Sequence, residues 1–135
     1  MTMAFFRPRV SREAEVRFHA DQEISKSYGD LLDKARQAEA HLRARQAAHA
    51  SGEELREAGV AYDQALTAAL RAAEAAQRAT FGVKAYDDRI RRRKGRATPE
   101  GAKWTTEVSK LRTLREENRL TGIVRLPRPV TASAR

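Results

Sequence analysis

Residues 51–82 read SGEELREAGVAYDQALTAALRAAEAAQRATFG, and this stretch decides the fold. Ser51 and Glu54 match the S-x-x-E capping box, in which a hydroxyl and a carboxylate satisfy N–H groups that open a helix. Behind the box, Leu55, Gly59, Tyr62, Leu66, Ala69, Ala73 and Ala76 recur in steps of four and three, which aligns them along one helical face. The residues between them are mostly strong helix formers, and Gly82 is placed to end the helix. The small residues of the stripe allow close approach of a second helix.

The second helix is supplied upstream. Ser11 is an N-cap candidate with Glu13 and Glu15 in the first turn, where the helix dipole favours anions. Ile24, Tyr28, Leu31, Ala35, Ala38 and Leu42 then form another stripe with the same alternating steps. Gly29 lies inside it, costs about 1 kcal/mol against alanine, and marks a candidate kink dividing the segment near 12–28 and 30–49. His49-Ala50-Ser51-Gly52 closes the segment. Two long helices joined by so short a connection run antiparallel.

Downstream, 84–94 reads as a short helical segment broken at Gly95. Thr98-Pro99-Glu100 starts a further helix over about 99–119, with a cap, proline at the first helical position and an acid in the first turn. Trp104, Val108, Leu111 and Leu114 fall on one face, and Thr121-Gly122 ends it. The expectation is an all-α chain: a single helical domain over 1–120, comprising an extended arm (1–10), a long antiparallel hairpin (11–82) and a basic helical segment (84–120). A second extended arm covers 121–135, where Pro127 and Pro129 prevent a helix. Phe5 and Phe6 in the first arm call for a surface to dock on.

Composition narrows the function. Of 135 residues 41% are hydrophobic, but 25 are alanine, and Leu, Ile, Val and Phe together number only 24. So few large apolar residues beside a net charge of +9 characterise chains that are disordered alone, so order is expected from helices and from a partner. The absence of cysteine excludes disulfides and thiolate metal sites. No apolar run has the length of a membrane span or a signal-peptide core, which leads to an expected cytoplasmic location.

The charge is segregated. Residues 1–83 are neutral as a block, and 84–135 carry 15 basic against 6 acidic side chains. Arginine outnumbers lysine 21 to 6, and its planar fork suits phosphate. Arg89-Ile90-Arg91-Arg92-Arg93-Lys94-Gly95-Arg96 holds six basic residues in eight. With Lys103, Lys110, Arg112 and Arg115 this forms a candidate surface for nucleic-acid backbone, where counterion release gives binding without sequence preference. Tyr86 beside the run is the candidate for stacking on a base. Trp104, Tyr28 and Tyr62 sit on apolar stripes and are assigned to the core.

Catalysis finds little support. His19, His41 and His49 do not stand at metal-ligand spacing, and the neighbouring Asp87 and Asp88 face apart on a helix and serve to screen the arginines. Phosphate-binding glycine loops, GxSxG and a cysteine nucleophile are missing from the sequence. A basic helix that binds membranes needs a broad apolar face, and 89–96 has only Ile90. The chain is therefore expected not to be an enzyme, with no cofactor, metal, membrane or small-molecule substrate.

A small, cysteine-free, helical chain with a one-sided basic surface resembles the small subunits of CRISPR–Cas effector complexes. The alanine- and arginine-rich composition fits an actinobacterial origin. The resemblance covers the whole chain in size and class, and at residue level only the run Arg89–Arg96 and the basic side of the last helix. It implies a helical bundle that stacks in copies along a guide-RNA filament and holds a strand by its backbone. The expected partners are thus RNA or single-stranded DNA and other protein subunits, including copies of this chain. A structural adaptor of a phage virion or similar assembly, using the basic segment and arms for protein contacts, is the alternative. A sequence-specific DNA-binding regulator is a third reading.

Overall fold

The structure, a computed structural model, describes residues 10–123. Five α-helices account for most of them: α1 (Arg12–Ser25), α2 (Tyr28–Ala47), α3 (Gly52–Thr80), α4 (Arg89–Arg96) and α5 (Pro99–Glu117). A 3₁₀ turn, Val83–Tyr86, precedes α4, and a π-helical turn, Asn118–Gly122, follows α5. The described residues are all-α, as the stripes predict, with no strand among them. The expected N-terminal arm up to residue 9, with Phe5 and Phe6, and residues 124–135 of the expected C-terminal arm lie outside the described residues. Thr121 and Gly122, expected to begin that extended arm, belong instead to the π-helical turn.

The helix starts follow the sequence closely. Ser11 Oγ accepts from the Ala14 N–H at 3.0 Å, Ser51 Oγ from the Glu54 N–H at 3.2 Å, and Thr98 Oγ1 from the Gly101 N–H at 3.1 Å. Each hydroxyl thereby satisfies a donor that the first helical turn leaves without an intrahelical partner. The end of α2 is a left-handed cap on His49 (φ 54°), with the Ala50 N–H bonded to the Arg45 carbonyl and the His49 N–H to that of Gln46.

The first helical segment does divide, but not at Gly29. The junction is Lys26-Ser27, and Gly29 lies in the first turn of α2. Serines cause the break. Ser25 Oγ donates to the Gln22 carbonyl (2.7 Å) and Ser27 Oγ to that of Ile24 (2.8 Å), while the Lys26 and Ser27 N–H groups tighten onto carbonyls three residues back. Ile24 falls in the last turn before the break and, contrary to its place in the apolar stripe, is 45% exposed.

Among the described residues, 10–29 and 70–110 form one compact unit, and 30–69 and 111–123 a second. In the second, α2 and the first part of α3 run antiparallel: Arg45 pairs with Glu54 near the turn, and Tyr62 Oη donates to Glu39 further along (3.3 Å). Leu42, Leu66, Ala35, Ala58 and Leu111 are buried there. Gly59 is required by close packing: a Cβ would stand 2.8 Å from the Gly122 carbonyl oxygen and 3.1 Å from Ile123. Asn118 is buried and donates to the Gly59 carbonyl at 2.9 Å.

In the first unit the last part of α3 buries Leu70, Ala72, Ala73, Ala75 and Ala76 beside Ala14, Ala85 and Val108. Alanine loses no side-chain entropy on burial, which offsets part of the small area that each contributes. Tyr28 packs edge-on to Trp104 (centroids 5.2 Å apart) and donates to Glu107 at 2.8 Å. Both rings, expected in the core, are half-buried, and Tyr62 alone of the three is buried.

Candidate nucleic-acid interface

The basic run forms α4, eight residues capped by Asp88. Its Oδ1 accepts from the N–H groups of Ile90 (2.9 Å) and Arg91 (3.3 Å). At the other end Arg93, Lys94 and Arg96 lie in the last turn, where the helix dipole favours cations. The acid pair expected to screen the arginines is thus divided. Asp88 caps α4 and lies 3.7 Å from Arg91 Nε, and Asp87 Oδ2 accepts from the Ser11 N–H at 3.3 Å.

The arginines of α4 look alike in sequence and differ in place. Arg92 and Gly95, three apart, form the inner edge. Gly95 lies against the ring of Phe81, to which a Cβ would come within 2.6 Å. Arg92 is half-buried, and its Nη1 donates to the carbonyls of Ala85 (2.8 Å) and Tyr86 (3.2 Å). Arg89, Arg93 and Arg96, separated by four and three, share the outer face with Lys94 beside them. These four are exposed, and their side chains form no hydrogen bond or ion pair among the described residues.

On α5, Lys103 is exposed, with its ammonium 5.6 Å from the Trp104 ring centroid, and Lys110 stands 3.6 Å from Glu107. The first unit therefore brings together Tyr86, Arg89, Arg91, Arg92, Arg93, Lys94, Arg96, Lys103 and Lys110. Arg112 and Arg115 belong to the second unit. Arg112 is exposed, whereas Arg115 is half-buried, with Nη1 3.4 Å from Thr67 Oγ1 and a buried Nε that has no partner among the described residues.

Tyr86 is half-buried. Its hydroxyl donates to Asp21 Oδ2 at 2.5 Å, and its ring meets Phe18 edge-on at 6.1 Å. Asp21 is 6% exposed and also accepts Nε and Nη2 of Arg78 at 2.9 and 3.0 Å. Burial by itself raises the Asp21 carboxyl, but the bonds from Arg78 and Tyr86, with the nearby charge of Arg17, hold it below the ordinary 3.8. Burial and the Asp21 carboxylate in turn push the Tyr86 hydroxyl upward.

Next to this triad is a cleft of about 220 Å³ lined by Arg17, Arg78, Phe81, Ala85, Tyr86 and Arg92. No protein-family model, curated protein or solved structure matches the chain. Of the residues lining the cleft, sequence reasoning named Tyr86 and Arg92 as candidates and did not name Arg17, Arg78 or Phe81. Arg17 and Arg78 stand alone among neutral and acidic neighbours, and only folding converts them into a cluster. The one local signal is the spacing of Arg17 and Asp21, four apart on α1. Among the described residues, no group of three or more metal-ligating side chains is gathered, and no helix is long and apolar enough to cross a membrane.

Proposed function

We propose that this chain is a non-catalytic helical subunit of a nucleoprotein assembly that holds RNA or single-stranded DNA by its backbone. The observation that carries this reading is the outer face of α4, where Arg89, Arg93 and Arg96 project with Lys94 into solvent without acidic partners among the described residues. Guanidiniums on an exposed helical face meet successive phosphates and release counterions, with no donor arrangement that selects a base. The resemblance to small subunits of CRISPR–Cas effector complexes belongs to the same proposal, with action in the cytoplasm and copies of the chain side by side. Val16 and Ile90, 62% and 64% exposed, supply apolar contact for neighbouring subunits.

The test is the salt dependence of strand binding. In the Arg89→Ala/Arg93→Ala/Arg96→Ala protein, the slope of log affinity against log salt falls by about 2 to 3. An unchanged slope in the folded triple variant removes α4 from the interface.

A further inference from the structure

We propose, resting on the nucleic-acid reading above, that the cleft framed by Arg17, Arg78 and Arg92 seats the terminal phosphate of a strand. The three guanidiniums come from α1, α3 and α4, so folding converges on one spot charges that are scattered along the chain. Asp21 offsets one of them, and the Glu74 carboxylate four residues back on α3 also acts on Arg78, so the excess is positive but less than two charges. An internal phosphodiester carries a single negative charge, whereas a terminal phosphomonoester carries about −1.5 to −2 at neutral pH. A net positive cleft gains more from the doubly charged end of a strand than from a singly charged phosphodiester.

Two of the three forks are fixed before any ligand arrives. Arg78 commits Nε and Nη2 to Asp21 and keeps Nη1 available, and Arg92 commits Nη1 to two carbonyls and keeps Nε and Nη2. Pre-set donors lose little rotamer freedom on binding. The Arg17 side chain makes no hydrogen bond among the described residues, is held only by charge attraction to Asp21, and can close over the anion. At about 220 Å³ the cleft is smaller than the roughly 300 Å³ and upward typical of drug-sized ligands, a size suited to one phosphate and its sugar. The Tyr86 hydroxyl is occupied by Asp21, so Tyr86 and Phe81 offer ring surface to that sugar or to the first base. Arg92 shares α4 with Arg89, Arg93 and Arg96, so one short helix holds both the end and the backbone behind it.

Fluorescence anisotropy with three short oligothymidylates tests the assignment: one with a 5′-phosphate, one with a 3′-phosphate and one with hydroxyls at both ends. The protein is expected to bind one phosphorylated strand about tenfold more tightly than the hydroxyl-ended strand. Inorganic phosphate should abolish that margin. Arg17→Ala should also abolish that margin, read as the ratio of the two affinities within the variant so that a loss common to every strand cancels. The exposed Arg17 side chain makes no hydrogen bond among the described residues, so the variant keeps the fold. Equal affinity for all three strands, or a margin that survives Arg17→Ala, overturns the cleft assignment and leaves the backbone reading in place. Failure to bind any of the strands overturns both.

Discussion

Arg78 grips Asp21 with a two-pronged fork, Nε to Oδ2 at 2.9 Å and Nη2 to Oδ1 at 3.0 Å, across 57 positions of sequence. The two partners differ in setting: the Asp21 side chain is 9% exposed and that of Arg78 51%. The carboxylate is thus the sheltered member, and it depends on Arg78 and Tyr86 to replace the water it has lost. Replacing Asp21 by alanine is expected to lower unfolding free energy by about 2 kcal/mol, less than for a fully buried pair because half of the arginine remains solvated. Urea denaturation of Asp21→Ala, Arg78→Ala and the double variant should give a coupling energy of about 1 kcal/mol or more.

The same pair sets an acid dependence. The folded-state pKa of Asp21 lies below its ordinary 3.8, so its stabilising contribution is complete above 3.8 and is lost as pH falls through the folded value. Asp21→Asn should therefore flatten the acid limb of the stability curve. Urea midpoints collected from neutral pH downward measure it, and an acid limb as steep as that of the parent protein would contradict the prediction.

Tyr62, like Tyr86, contributes to the alkaline side. Burial, with the charge and hydrogen bond of Glu39, pushes its hydroxyl from 10 to about 12. The neutral phenol is the form favoured in the folded protein, so its contribution is intact below pH 10 and disappears as pH rises toward about 12. Ultraviolet titration should show a tyrosinate ionising near 12, absent from Tyr62→Phe.

Three backbone positions predict opposite signs. A Cβ on Gly29 meets nothing within 4 Å, so Gly29→Ala should stabilise by about 0.5–1 kcal/mol. Gly59→Ala gains the same helical preference but forces a methyl group against the Gly122 carbonyl, with a net loss of about 1–2 kcal/mol. His49 holds a φ of 54°, so His49→Gly should raise stability by up to about 1 kcal/mol. Thermal unfolding of the three variants ranks them.

Local periodicity and capping were legible in the sequence because neighbouring residues carry both. Ser11, Ser51 and Thr98 cap where their side-chain chemistry says they should, and the stripe from Gly59 to Ala76 is buried throughout. The last helix shows where spacing runs out. After Leu111 a step of three leads to Leu114 and a step of four to Arg115, and hydropathy favours the leucine. The helix turns the other way, leaving Leu114 37% exposed and carrying its inner face through Arg115, Asn118 and Gly122. The same limit applies to α4, where the inward arginine is set by the carbonyls of Ala85 and Tyr86, acceptors that periodicity does not locate. Asp21 offers still less, since its partners lie 57 and 65 positions away.

The Arg92 tether also bears on how the protein can be handled. Its acceptors are neutral peptide oxygens in direct contact, so dissolved ions weaken it far less than they weaken long-range attraction to a polyanion. On the proposed function, a concentrated salt wash should strip carried-over nucleic acid from α4 while the Arg92 tether holds. Protein washed in this way should keep its helical circular-dichroism signal, with no refolding step.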